Sequence, residues 1–195
     1  FLSGDLQREQ GVYEPNKLRQ INLRANIRGQ LRDNLDATVT AGFVSSRLRL
    51  PQNDNNGYGA ILSGMLGRGY DIQEPGDAYD NGVVPSEFFA INTQQQTSRF
   101  TGGINSNWQP MDWLSFVGTA GVDLISRFDN EVLAPGRITI DEDLELGYRD
   151  ANRFQIATYT ANLGGTATYS VSPTLESTTS VGTQFSQQAL NRVLR

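Results

Sequence analysis

Asp141-Glu142-Asp143 with Glu145 is a dense acidic stretch, and its carboxylates are the kind of oxygen ligands that suit Ca²⁺. The stretch lacks the spacing of an EF-hand loop and the glycine at its turn, so a solvated loop or a charged edge strand is the simpler explanation. Asp71, Glu74, Asp77 and Asp80 form a second acidic set with no better spacing. Gly64-Met65-Leu66-Gly67-Arg68-Gly69 is glycine-rich, but it follows no strand and carries no Walker lysine, which argues against phosphate binding. Arg24, Arg28 and Arg32 recur at every fourth residue. Along a strand they would share one face, where guanidinium forks could hold anionic or sugar groups lining a solute path. The competing explanation is salt bridging to acids such as Asp36 and Asp123.

Much other chemistry is excluded by residue type. The 195 residues include no His and no Cys, which removes thiolate and imidazole metal sites, disulfides and the usual Ser-His-Asp or Cys-His catalysis. Acid–base catalysis would then fall to a buried carboxylate or to the single lysine, Lys17, which lies in a polar segment beside Asn16. No catalytic constellation and no cofactor site is expected, Ca²⁺ at the acidic stretch apart. Sixteen basic against 21 acidic residues give a net charge of −5, which argues against nucleic acid as a partner. No apolar run reaches the roughly 18 residues of a membrane-spanning helix. The opening Phe1-Leu2-Ser3-Gly4 reads as the middle of a strand, so the sequence is expected to be a piece of something larger.

Whatever positions those residues is built of strands. From Ile21 to Arg32, Ile21, Leu23, Ala25, Ile27, Gly29 and Leu31 alternate with Asn22, Arg24, Asn26, Arg28, Gln30 and Arg32. A helix would scatter the polar set round its cylinder; a strand puts it on one face. The scheme repeats at 35–43, 100–108, 114–124, 157–171 and 175–185. With an opening strand at Phe1–Gln10 this predicts seven strands, the longest of about 15 residues. Tight turns are expected at 32–35, 109–112 and 172–174. On the other side the connections are long, over roughly 51–97 and 129–152, with a shorter one at 11–16 and a short helix at Tyr58–Leu66.

That asymmetry, with strands this long, describes an all-β antiparallel meander of outer-membrane barrel type. A soluble sandwich alternates too. The barrel is favoured by a polar face of Arg, Asn, Gln, Thr and Gly along full strands, and by Trp108, Trp113 and Tyr169 near turns, where interfacial aromatics sit. Residues 1–195 then form a single barrel-derived segment with no plug domain.

Leu2-Ser3-Gly4-Asp5, then Gln10-Gly11-Val12, then Leu18-Arg19-Gln20-Ile21-Asn22-Leu23-Arg24-Ala25-Asn26-Ile27 resembles the barrel region of SusC/RagA-type TonB-linked outer-membrane receptors. Leu35-Asp36-Ala37-Thr38-Val39 and Met111-Asp112-Trp113-Leu114-Ser115-Phe116 are similar to the strands around that family's short periplasmic turns. The resemblance implies a plugged barrel of about 22 strands, of which this chain is about a third. It implies import of large nutrients such as oligosaccharides or peptides across the bacterial outer membrane, with a SusD-like lipoprotein and TonB as partners of the parent protein. The lack of His and Cys, with acids left in loops and Lys17 in a polar segment, separately predicts no enzymatic activity. Lipid and the rest of the barrel would be this segment's own neighbours. The alternative is an extracellular structural filament in which open strand edges pair with further copies of the chain.

Overall fold

The computed structural model describes residues 1–52, 57–67, 84–138 and 142–194. Its strands are β1 (Leu2–Gln10), β2 (Lys17–Arg32), β3 (Leu35–Leu50), β4 (Asn92–Met111), β5 (Leu114–Leu133), β6 (Tyr148–Ser172) and β7 (Leu175–Leu194). Among the described residues three short helices, α1 (Ala60–Leu66), α2 (Pro85–Phe88) and α3 (Glu142–Glu145), lie in the two long connections. The strands form one seven-stranded sheet in simple sequence order, each antiparallel to the next. β1 and β7 are its edges and do not pair with each other, so the sheet is open.

Alternation along the strands becomes two chemically distinct faces because the register is continuous from strand to strand. One cross-strand row reads Ile27, Val39, Ile104, Ala120 and Ala161. A second, four residues away on the same face, reads Leu23, Phe43, Phe100, Leu124 and Ala157. The expected apolar set, Phe116, Val122, Leu163 and Tyr169 included, shares this face. The row Arg28, Thr38, Asn105, Thr119, Asn162 and Gln184 belongs to the opposite face. A slip of one residue in any strand would exchange its faces, which is what fixes the register.

None of the described residues covers the apolar face. Ile27 is 67% exposed and Leu163 56%. This apolar band begins at the tight turns and rises to Ile21 on β2, Phe43 on β3, Phe100 on β4 and Leu124 on β5. Its height of about ten residues per strand is that of a strand crossing a bilayer.

All three tight turns have two connecting residues: Asp33-Asn34, Asp112-Trp113 and Pro173-Thr174. Just before each, the incoming strand carries a register shift: between Gln30 and Arg32, Trp108 and Met111, and Ser170 and Ser172. Such bulges add a residue to one strand and raise its twist. They also leave room for Pro110, which could not donate to a regular ladder. Two of the turns share the pattern Gln-x-x-Asp-x-Leu, and in both the glutamine amide donates to the aspartate carbonyl, Gln30 to Asp33 and Gln109 to Asp112, at 3.4 Å each.

The strands are longer than their hydrophobic alternation predicts. β6 runs for 25 residues, and β4 and β5 for 20 each. The connections expected at 51–97 and 129–152 therefore shrink to 51–91 and 134–147. Towards the loops the apolar face turns polar, with Arg47, Gln96 and Arg153 in its rows, so the alternation fades while the backbone stays extended and paired. The predicted helix is present as α1, and the connection at 11–16 is as expected.

The one cluster of buried apolar side chains among the described residues sits at the loop end, not in the sheet. Ile91, Leu133 and Ile138 are buried, with Tyr58, Ala90, Leu144 and Tyr148 packed against them. Gly147 closes this region with φ near +70°, and a Cβ there would stand 2.5 Å from the Leu133 carbonyl oxygen. Only glycine meets both demands.

Candidate functional site

The polar face is a continuous surface of hydrogen-bonding side chains. On it, Asn162 donates to Thr119 at 2.9 Å, the hydroxyls of Thr166 and Ser180 meet at 2.9 Å, and Gln188 donates to Thr158. Gln20 donates to Asn22 and Asn22 to Asp5, at 3.0 and 3.1 Å. Arg99 forks onto Asp123, Nε to Oδ1 at 2.9 Å and Nη2 to Oδ2 at 2.6 Å. Nearer the loops, Arg127 forks onto Asp129. Arg127, Phe154 and Arg192 form one cross-strand row, with the two guanidiniums 5.6 and 5.1 Å from the ring centre. Cation–π contact of that kind fixes the planar forks without neutralising them.

Arg24 and Arg28 stand on this face. Arg24 is level with Ser3 and Gly42, and Arg28 with Thr38. Both are exposed, and neither has an ion-pair partner among the described residues. Arg32 leaves the series. The bulge after Gln30 places it opposite Leu35, whose row contains Trp108, so it belongs to the turn and not to the Arg24–Arg28 row. A hairpin with a two-residue turn absorbed the extra residue there, which spacing alone does not show. The salt bridge considered for Asp123 forms with Arg99, not with this series.

Described parts of both long connections, Tyr58, Ala90 and Ile91 of the first and Ile138 and Leu144 of the second, dock at the loop end of the same face. Leu133 and Tyr148, paired across β5 and β6, bring the small apolar cluster onto it. Beside the cluster, Glu131 accepts from the Tyr148 hydroxyl at 2.7 Å, the Thr93 hydroxyl at 2.7 Å and the Gln52 amide at 3.0 Å. Burial alone would raise the Glu131 pKa, but the hydrogen bonds from Tyr148, Thr93 and Gln52 outweigh it and hold the carboxyl below its usual range. Burial, with the Glu131 carboxylate as acceptor, pushes the Tyr148 phenol well above its usual range. The arrangement is a charged knot that ties three strands and the start of a loop together, in ordinary protonation states at neutral pH.

Of the acidic stretch, Asp141 lies outside the described residues, as do Asp71, Glu74, Asp77 and Asp80. Glu142, Asp143 and Glu145 lie on α3, and all three are exposed. Among the described residues no three carboxylates gather to hold a metal ion. Sequence reasoning missed the Glu131 knot and the Arg127–Phe154–Arg192 row. Both lie beyond the apolar alternation, and continuing the strand register past it would have brought them together.

Long antiparallel strands in a meander, an apolar face that no described residue covers and a hydrogen-bonding face opposite it define an arc of an outer-membrane-type β-barrel fold. Comparison with solved structures agrees. The chain matches part of the RagAB peptide importer in its closed-closed state with a TM-score of 0.65 at 14% identity, over 97% of this chain and 23% of that one. It matches BauA, the ferric preacinetobactin receptor of Acinetobacter baumannii, at 0.60 and 11%, over 100% of this chain and 26% of that one. For PiuA, a siderophore receptor of the same organism, the values are 0.53 and 12%, over 98% and 26%. The chain spans about a quarter of each of these proteins, and at such identities the likeness is one of fold. No protein-family model and no curated protein matches the sequence.

Proposed function

We propose that the chain is a segment of a TonB-dependent outer-membrane receptor that takes up large nutrients such as peptides or oligosaccharides. It works by binding and passage, not by catalysis. The observation that carries this reading is the uncovered apolar face, backed across a single sheet by a wet polar one. A face of that extent on a water-soluble protein would drive aggregation, whereas lipid solvates it. The edges β1 and β7 would be completed by neighbouring strands of the same barrel. The SusC/RagA-type assignment draws on the opening residues Leu2–Ile27 and on the likeness to RagAB. With it come a SusD-like lipoprotein over the loops and TonB on the opposite side as partners of the whole protein.

The test uses the full-length receptor in membranes. Spin labels at Ile27 and Arg28 should report opposite environments, the first accessible to oxygen in lipid and the second to a water-soluble nickel chelate. Equal accessibility at the two sites would refute the reading, as would long detergent-free polymers in negative stain, which would instead support the filament. Deleting residues 53–82, most of which lie outside the described residues, should abolish solute uptake while leaving the barrel heat-modifiable on gels. Normal uptake by the deletion variant would remove the loops from the solute site.

A further inference from the structure

At the loop-side border of the apolar band the outward face changes character within a single step of the register. Ile21, Ser45, Ser98 and Ser126 form one cross-strand row. The next row towards the loops is Arg19, Arg47, Gln96, Phe128 and Arg153. Arg8 stands directly opposite Arg19 on β1, and one row further on Lys17 stands opposite Arg49. Like charges placed face to face across strands repel. Among the described residues no acid relieves them on this face: Glu9, Asp129, Glu131 and Asp150, at the same level, all stand on the polar side. Arg8, Arg19 and Arg47 are exposed and have no ion-pair partner among the described residues. The Nε of Arg49 is enclosed and unpartnered as well.

These side chains converge. Arg8, Arg19, Arg47 and Arg153 line one concavity of about 540 Å³, with Ser45 and Ser98 beneath them. Its lower wall is Leu6 and Ile21, the top of the apolar band. Adjacent strands lie about 4.8 Å apart, so neighbouring guanidiniums can share the oxygens of one phosphate, with serine hydroxyls as further donors.

We infer that this cationic shelf binds the phosphate-bearing headgroup of an outer-leaflet lipid, whose acyl chains lie on the apolar band below. The inference rests on the membrane reading above and adds a ligand site on the opposite face from the solute path. The source of the phosphate is a lipid because the concavity is continuous with the apolar band, a surface that a free anion would leave unused.

The experiment purifies the full-length receptor in dodecyl maltoside containing either dioleoyl phosphatidic acid or dioleoylglycerol, which has the same chains and no phosphate. Retained lipid is counted by native mass spectrometry. The receptor should prefer the phosphorylated lipid by about tenfold or more. Arg8→Gln, Arg19→Gln and Arg47→Gln together should bring the two lipids to near parity, while Arg24→Gln with Arg28→Gln, on the other face, should leave the preference intact. An unchanged preference in the triple variant, or none in the unaltered receptor, would overturn the inference. Full displacement of the phosphatidic acid by an equal concentration of inorganic phosphate would also overturn it, since the chains would then contribute nothing. Failure of the membrane reading has its own signature: neither lipid is retained, and the Ile27 label reports water.

Discussion

Val39→Arg should destabilise the inserted barrel by about 2–4 kcal/mol, the cost of a guanidinium at the bilayer midplane. Val39 sits in the middle of the apolar band, flanked in its row by Ile27 and Ile104, with no polar side chain beside it in that row to receive a charge. The paired control is Asn105→Arg, in the facing row of the polar side between Thr38 and Thr119. There the new charge meets water and hydroxyls, and stability should change by less than about 0.5 kcal/mol. Urea titration of the full-length receptor in vesicles would measure both. The two residues occupy the same height and adjacent strands, so the comparison isolates the face. Equal effects would mean that lipid does not contact the apolar side.

Glu131→Gln should loosen the docked loops without unfolding the sheet. The carboxylate accepts three hydrogen bonds from Tyr148, Thr93 and Gln52, and charge-assisted bonds of this kind contribute about 1–3 kcal/mol when lost. The lower part of that range applies because water still reaches Glu131. Hydrogen exchange should accelerate about tenfold at amides around Ile91 and Ile138 while the middles of β4 and β5 keep their protection. The pH dependence follows from the lowered carboxyl pKa. The docking contribution is fully present above the ordinary carboxylate range and is lost as pH falls through the depressed folded value, when a protonated Glu131 binds its partners less strongly. The Gln variant should lack that acid dependence. Unchanged exchange in the variant would show that the apolar cluster alone holds the loops.

The faces, the turns and the strand order were legible in the sequence because lipid and water each select one side of every strand. Ile21–Arg32 and its partners carry that selection residue by residue. Legibility ended where the selection ends. Above Ile21, Phe43 and Phe100 both faces meet water or loops, Arg19, Arg47 and Arg153 replace aliphatic residues, and the period-two signal disappears although the ladder continues. The strand ends, the Glu131 knot and the cationic shelf all lie in that region. Arg32 was misplaced for a different reason: a one-residue bulge shifts the face of every residue after it, and its signature is a backbone geometry, not a residue type. The two Gln-x-x-Asp-x-Leu turns are the nearest thing to a written sign of it.

The strict meander order also has a kinetic consequence. Each strand pairs only with its neighbours in sequence, and within β2–β3, β4–β5 and β6–β7 the ends to be joined are separated by two residues. Such hairpins close on the microsecond scale, about 1–10 μs for isolated examples. Joining β3 to β4 and β5 to β6 must instead bring together ends separated by the long connections, at about 0.6 kcal/mol of closure entropy for each doubling of length. The sheet is therefore built to form as three prefabricated hairpins that then zip edge to edge, with β1 added across its short connection. The Ile91–Leu133–Ile138 cluster, which draws on both long connections and on the ends of β5 and β6, can assemble only once those strands are in place.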